Sequence, residues 1–137
     1  MANQASAAGP HGIVCWSELN VHDVARAQKF YGGALGWSFE AISPGGFPYW
    51  IIKSGEANVG GLFHMADPRF AGAPERWVTY IAVDSVDERI KKAVTLGAVI
   101  CKEPMDIPGI GRIAMLKEPG GALVAWMTPS CPPDNNA

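Results

Sequence analysis

The chain has few of the features that would assign it at a glance. It has no surplus of either charge: 11 Lys and Arg stand against 13 Asp and Glu, a net charge of −2 in 137 residues. A nucleic-acid surface needs clustered positive charge to displace phosphate counterions, and a membrane-bound patch needs a polybasic run. Neither is present, so no nucleic acid and no membrane surface is expected as a partner. No apolar run approaches the roughly 20 residues of a membrane helix. The start, residues 1–12, lacks a cationic stretch followed by an apolar block and reads as a loose arm rather than a leader. Cysteine is scarce and odd in number, at 15, 101 and 131, without a C-x-x-C. That excludes a disulfide framework and a zinc knuckle and predicts a cytoplasmic protein. Cys15 and Cys101 lie in apolar strand-like runs, where a thiol acts as a small hydrophobe.

What the chain does have is apolar. Hydrophobic residues reach 48%, with five Trp, five Phe and three Tyr, while charged residues make up only 18%. This suffices for one well-filled core and suggests an apolar pocket or interface.

The pattern along the chain repeats. A strand is predicted from Gly12 to Leu19. Asn20 is placed to cap a helix carrying Asp23 in its first turn, with Val24, Ala27, Phe30 and Tyr31 as its apolar face and Gly32-Gly33 as its stop. Strands follow at Trp37–Ile42, Phe47–Lys53 and Asn58–Met65, separated by the Ser43–Gly46 and Ser54–Glu56 turns. Asp67–Glu75 reads as a linker. Then comes a strand at Trp77–Val83 and a helix opened by the capping-box pair Ser85 and Glu88. Its apolar face is Val86, Ile90, Ala93 and Val94, and Gly97 ends it. Strands at Ala98–Lys102, Arg112–Lys117 and Ala122–Met127 complete the set. Asp23 matches Asp84 and Leu35-Gly36 matches Leu96-Gly97, both 61 residues on. Pro44-Gly45 matches Pro108-Gly109 and Ile52-Lys53 matches Leu116-Lys117, both 64 residues on. Self-similarity at a fixed spacing is an architectural signal. It predicts an α+β fold of tandem βαβββ modules, about 13–66 and 76–128, within one domain spanning 13–128. Residues 129–137 form a loose tail.

The segments ELNVHDVARAQKFYGGALGW (Glu18 to Trp37), YIAVDSVDERIKKAVTLGA (Tyr80 to Ala98) and GRIAMLKEPGGALVAW (Gly111 to Trp126) carry this repeat. In this order they resemble the vicinal oxygen chelate superfamily: glyoxalase I, bleomycin-resistance proteins and extradiol dioxygenases. The resemblance implies a cupped mixed sheet with helices outside, a homodimer, and a divalent metal held by His, Gln or Glu on the first and last strand of each module. Carried onto this chain, those positions fall at Trp16, Gly60, Val78 and Ala125. None has a metal-binding side chain. A slip of one residue yields Cys15 or Ser17, Val59 or Gly61, Trp77 or Thr79, and Val124 or Trp126, and restores no His/Glu set. The expectation is therefore no metal cofactor.

Strand alternation puts Trp16, Glu18 and Asn20 on one face. Glu18 becomes the one carboxylate placed in the cup, as a general base or as an anchor for a hydroxylated or cationic group. By the same alternation Val78 and Tyr80 face the cup, with Ala125 and Met127 beside them, and either Phe47 with Tyr49 or Pro48 with Trp50 adds aromatic lining. His64 and Arg112 are placed at the rim. The combination predicts a binding protein for a small apolar or aromatic molecule. The alternatives are a metal-dependent lyase, isomerase or dioxygenase with unusual ligands, using Glu18, His64 or Tyr80, and an interaction subunit whose cup is filled.

Overall fold

Asp23 starts the first helix. Its extended backbone leaves its carboxylate free to accept the Arg26 N–H at 3.0 Å, satisfying one of the amides a helix start leaves unpaired. Asn20, expected as the cap, lies three residues earlier inside a strand that runs to Val21. The helix also passes through Gly32 and Gly33. Glycine costs about 1 kcal/mol in a helix interior but does not forbid it. What ends the helix is Gly36, whose φ of +74° suits glycine and whose N–H bonds the Gly32 carbonyl at 3.0 Å.

The computed structural model describes residues 11–42, 48–107 and 109–130. Among these the elements are β1 (Ile13–Val21), α1 (Val24–Leu35), β2 (Ser38–Ile42), β3 (Tyr49–Ser54), β4 (Ala57–His64), β5 (Arg76–Ala82), α2 (Val86–Thr95), β6 (Val99–Ile107), β7 (Gly111–Lys117) and β8 (Leu123–Pro129). The expected linker holds a short 3-10 turn at Pro68–Phe70, started by Asp67. The expected turn at 43–46, Phe47, Pro108, Cys131 and most of the expected arm and tail lie outside the described residues. His11 and Gly12, from the end of that arm, are held: the Gly12 N–H bonds the Ala82 carbonyl at 2.7 Å, and the Asp84 N–H bonds His11 Nδ1 at 3.0 Å. No helix among the described residues is long and apolar enough to cross a membrane.

The chain divides into two units. One comprises Trp16–Val78; the other combines the residues up to Cys15 with those from Thr79 onward. In the first, the strand order is β2-β3-β4-β1, antiparallel except that β1 runs parallel to β4. In the second, the order is β6-β7-β8-β5, with β5 parallel to β8. Each unit is thus βαβββ, and the fold is α+β. Parallel first and last strands need a long connection between them, which each module's helix and hairpin supply.

Each helix covers one face of its own sheet. In the first unit Leu19, Val21, Ala27, Ile52 and Leu62 form the buried cluster, with Val24, Tyr31, Trp37, Phe39 and Trp50 packed around it. In the second, Val83, Val86, Ile90, Ala93, Ala114 and Leu116 do the same. Burying a side chain such as Ile52 or Leu62 stabilises by about 1.5–3 kcal/mol each. Phe30, expected on the apolar face of α1, is exposed and makes an edge contact with Tyr31. Val94, expected on that of α2, is exposed too. Cys15 and Cys101 are also exposed, so neither acts as a core hydrophobe. The Ser85 hydroxyl accepts the Glu88 N–H at 3.2 Å and caps α2. Asp84, matched to Asp23 by spacing, has a different task. It accepts the Ser85 N–H and two bonds from Arg89 at 2.8 Å, and the Arg89 bonds hold its carboxyl far below the usual range.

Candidate functional site

The face of the first sheet turned away from α1 is set by alternation. Leu19 and Val21 of β1, Trp50 and Ile52 of β3, and Leu62 of β4 pack toward the helix. Trp16, Glu18, Asn20, Tyr49, Gly61 and Phe63 therefore share the opposite face. On β5, Trp77 meets Tyr31 and Trp37 on the helix side, so Arg76 and Val78 join the helix-free face.

Four contacts tie these residues together. The Trp16 indole N–H donates to the Tyr49 oxygen at 2.9 Å. The Tyr49 hydroxyl bonds Glu18. The Asn20 side-chain N–H donates to Glu18 Oε2 at 2.8 Å, and Arg76 Nε donates to Asn20 Oδ1 at 3.3 Å. Their polarity is forced by chemistry. Arginine has only donors, so it takes the oxygen of Asn20 and turns the amide nitrogen to Glu18. An indole is also only a donor, so it takes the oxygen of Tyr49 and leaves the phenolic hydrogen for Glu18. Both ends deliver hydrogens to the Glu18 carboxyl group. Glu18 is only 9% exposed and Asn20 only 3%. Burial, and then the charge of Glu18, push the Tyr49 phenol well above its ordinary range, while the Trp16 bond pulls the other way. Tyr49 therefore stays a neutral donor at physiological pH.

Glycine makes room for this arrangement. Gly61 is the register partner of Glu18, and a Cβ there would collide with the Tyr49 hydroxyl. A Cβ on Gly60 would collide with the Ser17 carbonyl oxygen. The metal that the fold family implies therefore does not fit these residues. Trp16 and Val78 offer no donor for it, and neither glycine position admits a ligating side chain. Among the described residues no group of three or more His, Cys, Asp and Glu is gathered to hold an ion.

In the second unit, Ile81, Val124 and Trp126 pack toward α2. Alternation then turns Tyr80, Ala82, Ala125 and Met127 to the helix-free face, with Tyr80 opposite Ala125 and Ala82 opposite Met127. Tyr80 and Ala125 are buried. The two residues expected at a rim lie elsewhere. His64 pairs with Val21, on the helix side of the first sheet, away from Glu18. Arg112 already holds protein carboxylates: Asp87 through Nε and Nη2 at 2.8 and 3.1 Å, and Asp106 through Nη1 at 3.2 Å.

Sequence reasoning left Tyr49 in an undecided pair and missed Arg76. The Gly60-Gly61 pair in mid-strand was the signal for Tyr49, since glycine there marks a close approach. Arg76 was missed because the strand was begun one residue late. Counting back two from Val78 finds it.

Two βαβββ modules with a helix on one face of each define the glyoxalase and bleomycin-resistance class of α+β protein. Residues 14–47 match the family model described as bleomycin resistance protein-like N-terminal. CFP32 of Mycobacterium tuberculosis, which carries a glyoxylase name, is 34% identical over 120 residues, 87% of this chain. DnrV of Streptomyces peucetius, an anthracycline biosynthesis protein, is 32% identical over 126 residues. The chain spans less than half of these relatives' length, 45% and 46%. Methylmalonyl-CoA epimerase from M. tuberculosis shares the fold, with a TM-score of 0.62 at 14% identity over 90% of this chain and 93% of the epimerase. In sequence and in fold the chain is thus similar to proteins of the glyoxalase and bleomycin-resistance type.

Proposed function

We propose that this chain is a cytoplasmic, metal-independent binding protein of the glyoxalase and bleomycin-resistance type. Its ligand is a small apolar or aromatic molecule seated on the helix-free face of the first module. The observation that carries this reading is the buried Glu18 carboxylate, presented among aromatic side chains by a directional set of hydrogen bonds. Trp16, Tyr49 and Phe63 offer apolar surface, while Glu18 supplies the polar contact that orients a guest, the usual composition of a small-molecule site. Val78 lies on the same face.

The hydrogen-bond donors gathered on Glu18 also favour a second reading, in which Glu18 takes a proton from a bound carbon or oxygen acid as a general base. Both readings are tested on purified full chain by thermal-shift screening against aromatic and apolar compounds, together with elemental analysis for Fe, Mn, Ni and Zn. Stabilisation by aromatic compounds at sub-stoichiometric metal supports metal-independent binding. One equivalent of metal, lost on Glu18→Ala or His64→Ala, overturns it. Turnover of a stabilising compound that disappears in Glu18→Gln establishes the second reading.

A further inference from the structure

Arg76 has no place in the sequence-based reading of the site, and its geometry gives it one. It lies at the start of β5 on the helix-free face, half-buried, with Nε committed to Asn20 Oδ1 at 3.3 Å. That bond fixes the plane of the guanidinium. Among the described residues, its Nη1 and Nη2 meet no acceptor. The neighbouring carboxylate, Glu75, is spent elsewhere: its Oε2 accepts the His22 N–H at 2.8 Å and Arg26 Nη2 at 3.1 Å. The contrast with Arg112 is direct, since that guanidinium has both of its terminal nitrogens on protein carboxylates.

We propose that Arg76 is the acid-recognising residue of the site, and that the ligand is an aromatic or apolar molecule bearing a carboxylate. The Nη1–Nη2 edge of an oriented guanidinium matches the two oxygens of a carboxylate, which gives a strong and specific charge-assisted pair. Asn20 sits between Arg76 and Glu18, bonded to both, and keeps the two charges apart. The carboxylate of the guest then lies on Arg76 and away from the Glu18 charge, while a hydroxyl on the same guest faces Glu18. The inference rests on the proposed binding role of this face and adds the chemical class of its ligand.

The test is calorimetric titration of the full chain with hydroxynaphthoate, naphthoate and naphthol. The expected result is that both acids bind tighter than naphthol by roughly tenfold or more, as for a two-pronged charged pair. Arg76→Gln abolishes that preference, read as the ratio of the acid and naphthol affinities within the variant. Arg76→Lys keeps the charge without the planar edge and retains only part of the preference, so it decides the matter should Arg76→Gln fail to fold. Naphthol binding as tightly as naphthoate overturns the role of Arg76 while leaving the aromatic-ligand reading intact. So does a preference for acids undiminished in both variants. Binding of none of the three overturns both.

Discussion

The indole N–H of Trp16 donates to the phenolic oxygen of Tyr49 at 2.9 Å. Because indole nitrogen cannot accept, this bond orients the Tyr49 hydroxyl toward Glu18 and settles the polarity of the buried carboxylate's surroundings. A tryptophan thus does polar work in this site, by its N–H.

Tyr49→Phe removes one oxygen and strands two groups. The Trp16 N–H loses its acceptor, and Glu18 loses a donor while staying buried. Leaving a buried polar group unsatisfied costs about 1–3 kcal/mol, more for a charged one. The expected loss in urea unfolding is therefore about 2 kcal/mol with an unchanged slope, because the exposed surface is the same. Tryptophan fluorescence should shift as well. A loss under about 0.5 kcal/mol would mean that the bond contributes little.

The same tyrosine predicts an alkaline limb to stability. Its phenol is raised above the ordinary value of about 10, so the unfolded chain releases that proton before the folded one does. The folded state then binds more protons than the unfolded, and stability falls as pH rises. The contribution is fully present below about pH 10 and is lost above it. Unfolding midpoints measured from pH 8 to 11 should decline in the native chain and decline less steeply in Tyr49→Phe. Absorbance titration should find fewer tyrosines ionising in the folded chain than in the unfolded one, with that gap narrowed by one in Tyr49→Phe.

The cap of α1 gives a local prediction. Asp23→Ala removes the acceptor for the Arg26 N–H and should cost about 1 kcal/mol. Ser85→Ala at α2 should cost a similar amount, read from the thermal midpoint. Asn20→Ala acts through a different mechanism. It breaks the bridge from Arg76 to Glu18, so its effect should include lost ligand preference, which neither cap variant shows.

These cases mark what the sequence carries in legible form. The modules were readable because a repeat of strand, helix and three strands is a long-range pattern, repeated in Leu35-Gly36 and Leu96-Gly97, whose glycines both take a positive φ. The face shared by Trp16, Glu18 and Asn20 was readable because strand alternation is a strict period of two. The cap at Asp23 was not. Both Asn20 and Asp23 are good cap residues, and only the length of β1, set by its pairing of Val21 with His64, chooses between them. Nor was the exposure of Cys15 and Cys101 readable, since strand composition does not say which face is covered. Tyr49 depended on where β3 pairs with β4, which is a tertiary fact.

Gly61 makes the sharpest test of that pairing. A methyl group there would overlap the Tyr49 hydroxyl and ring, and the ring is anchored by Trp16 and Glu18. Gly61→Ala should therefore destabilise by about 1–3 kcal/mol, the usual cost of overpacking. The strain has one source, so it should be relieved by shortening that source. In a Tyr49→Ala background the same Gly61→Ala change should cost almost nothing, because the space over Glu18's register partner is then open. The pair should deviate from additivity by more than about 1 kcal/mol, as contacting residues do. Gly60→Ala provides the contrast. Its obstacle is the Ser17 carbonyl, part of the β1 backbone, so its cost should persist in the Tyr49→Ala background. Denaturation of the six chains by urea measures all of these terms. Additive behaviour at Gly61 would place the Tyr49 ring elsewhere and remove the donor assigned to Glu18.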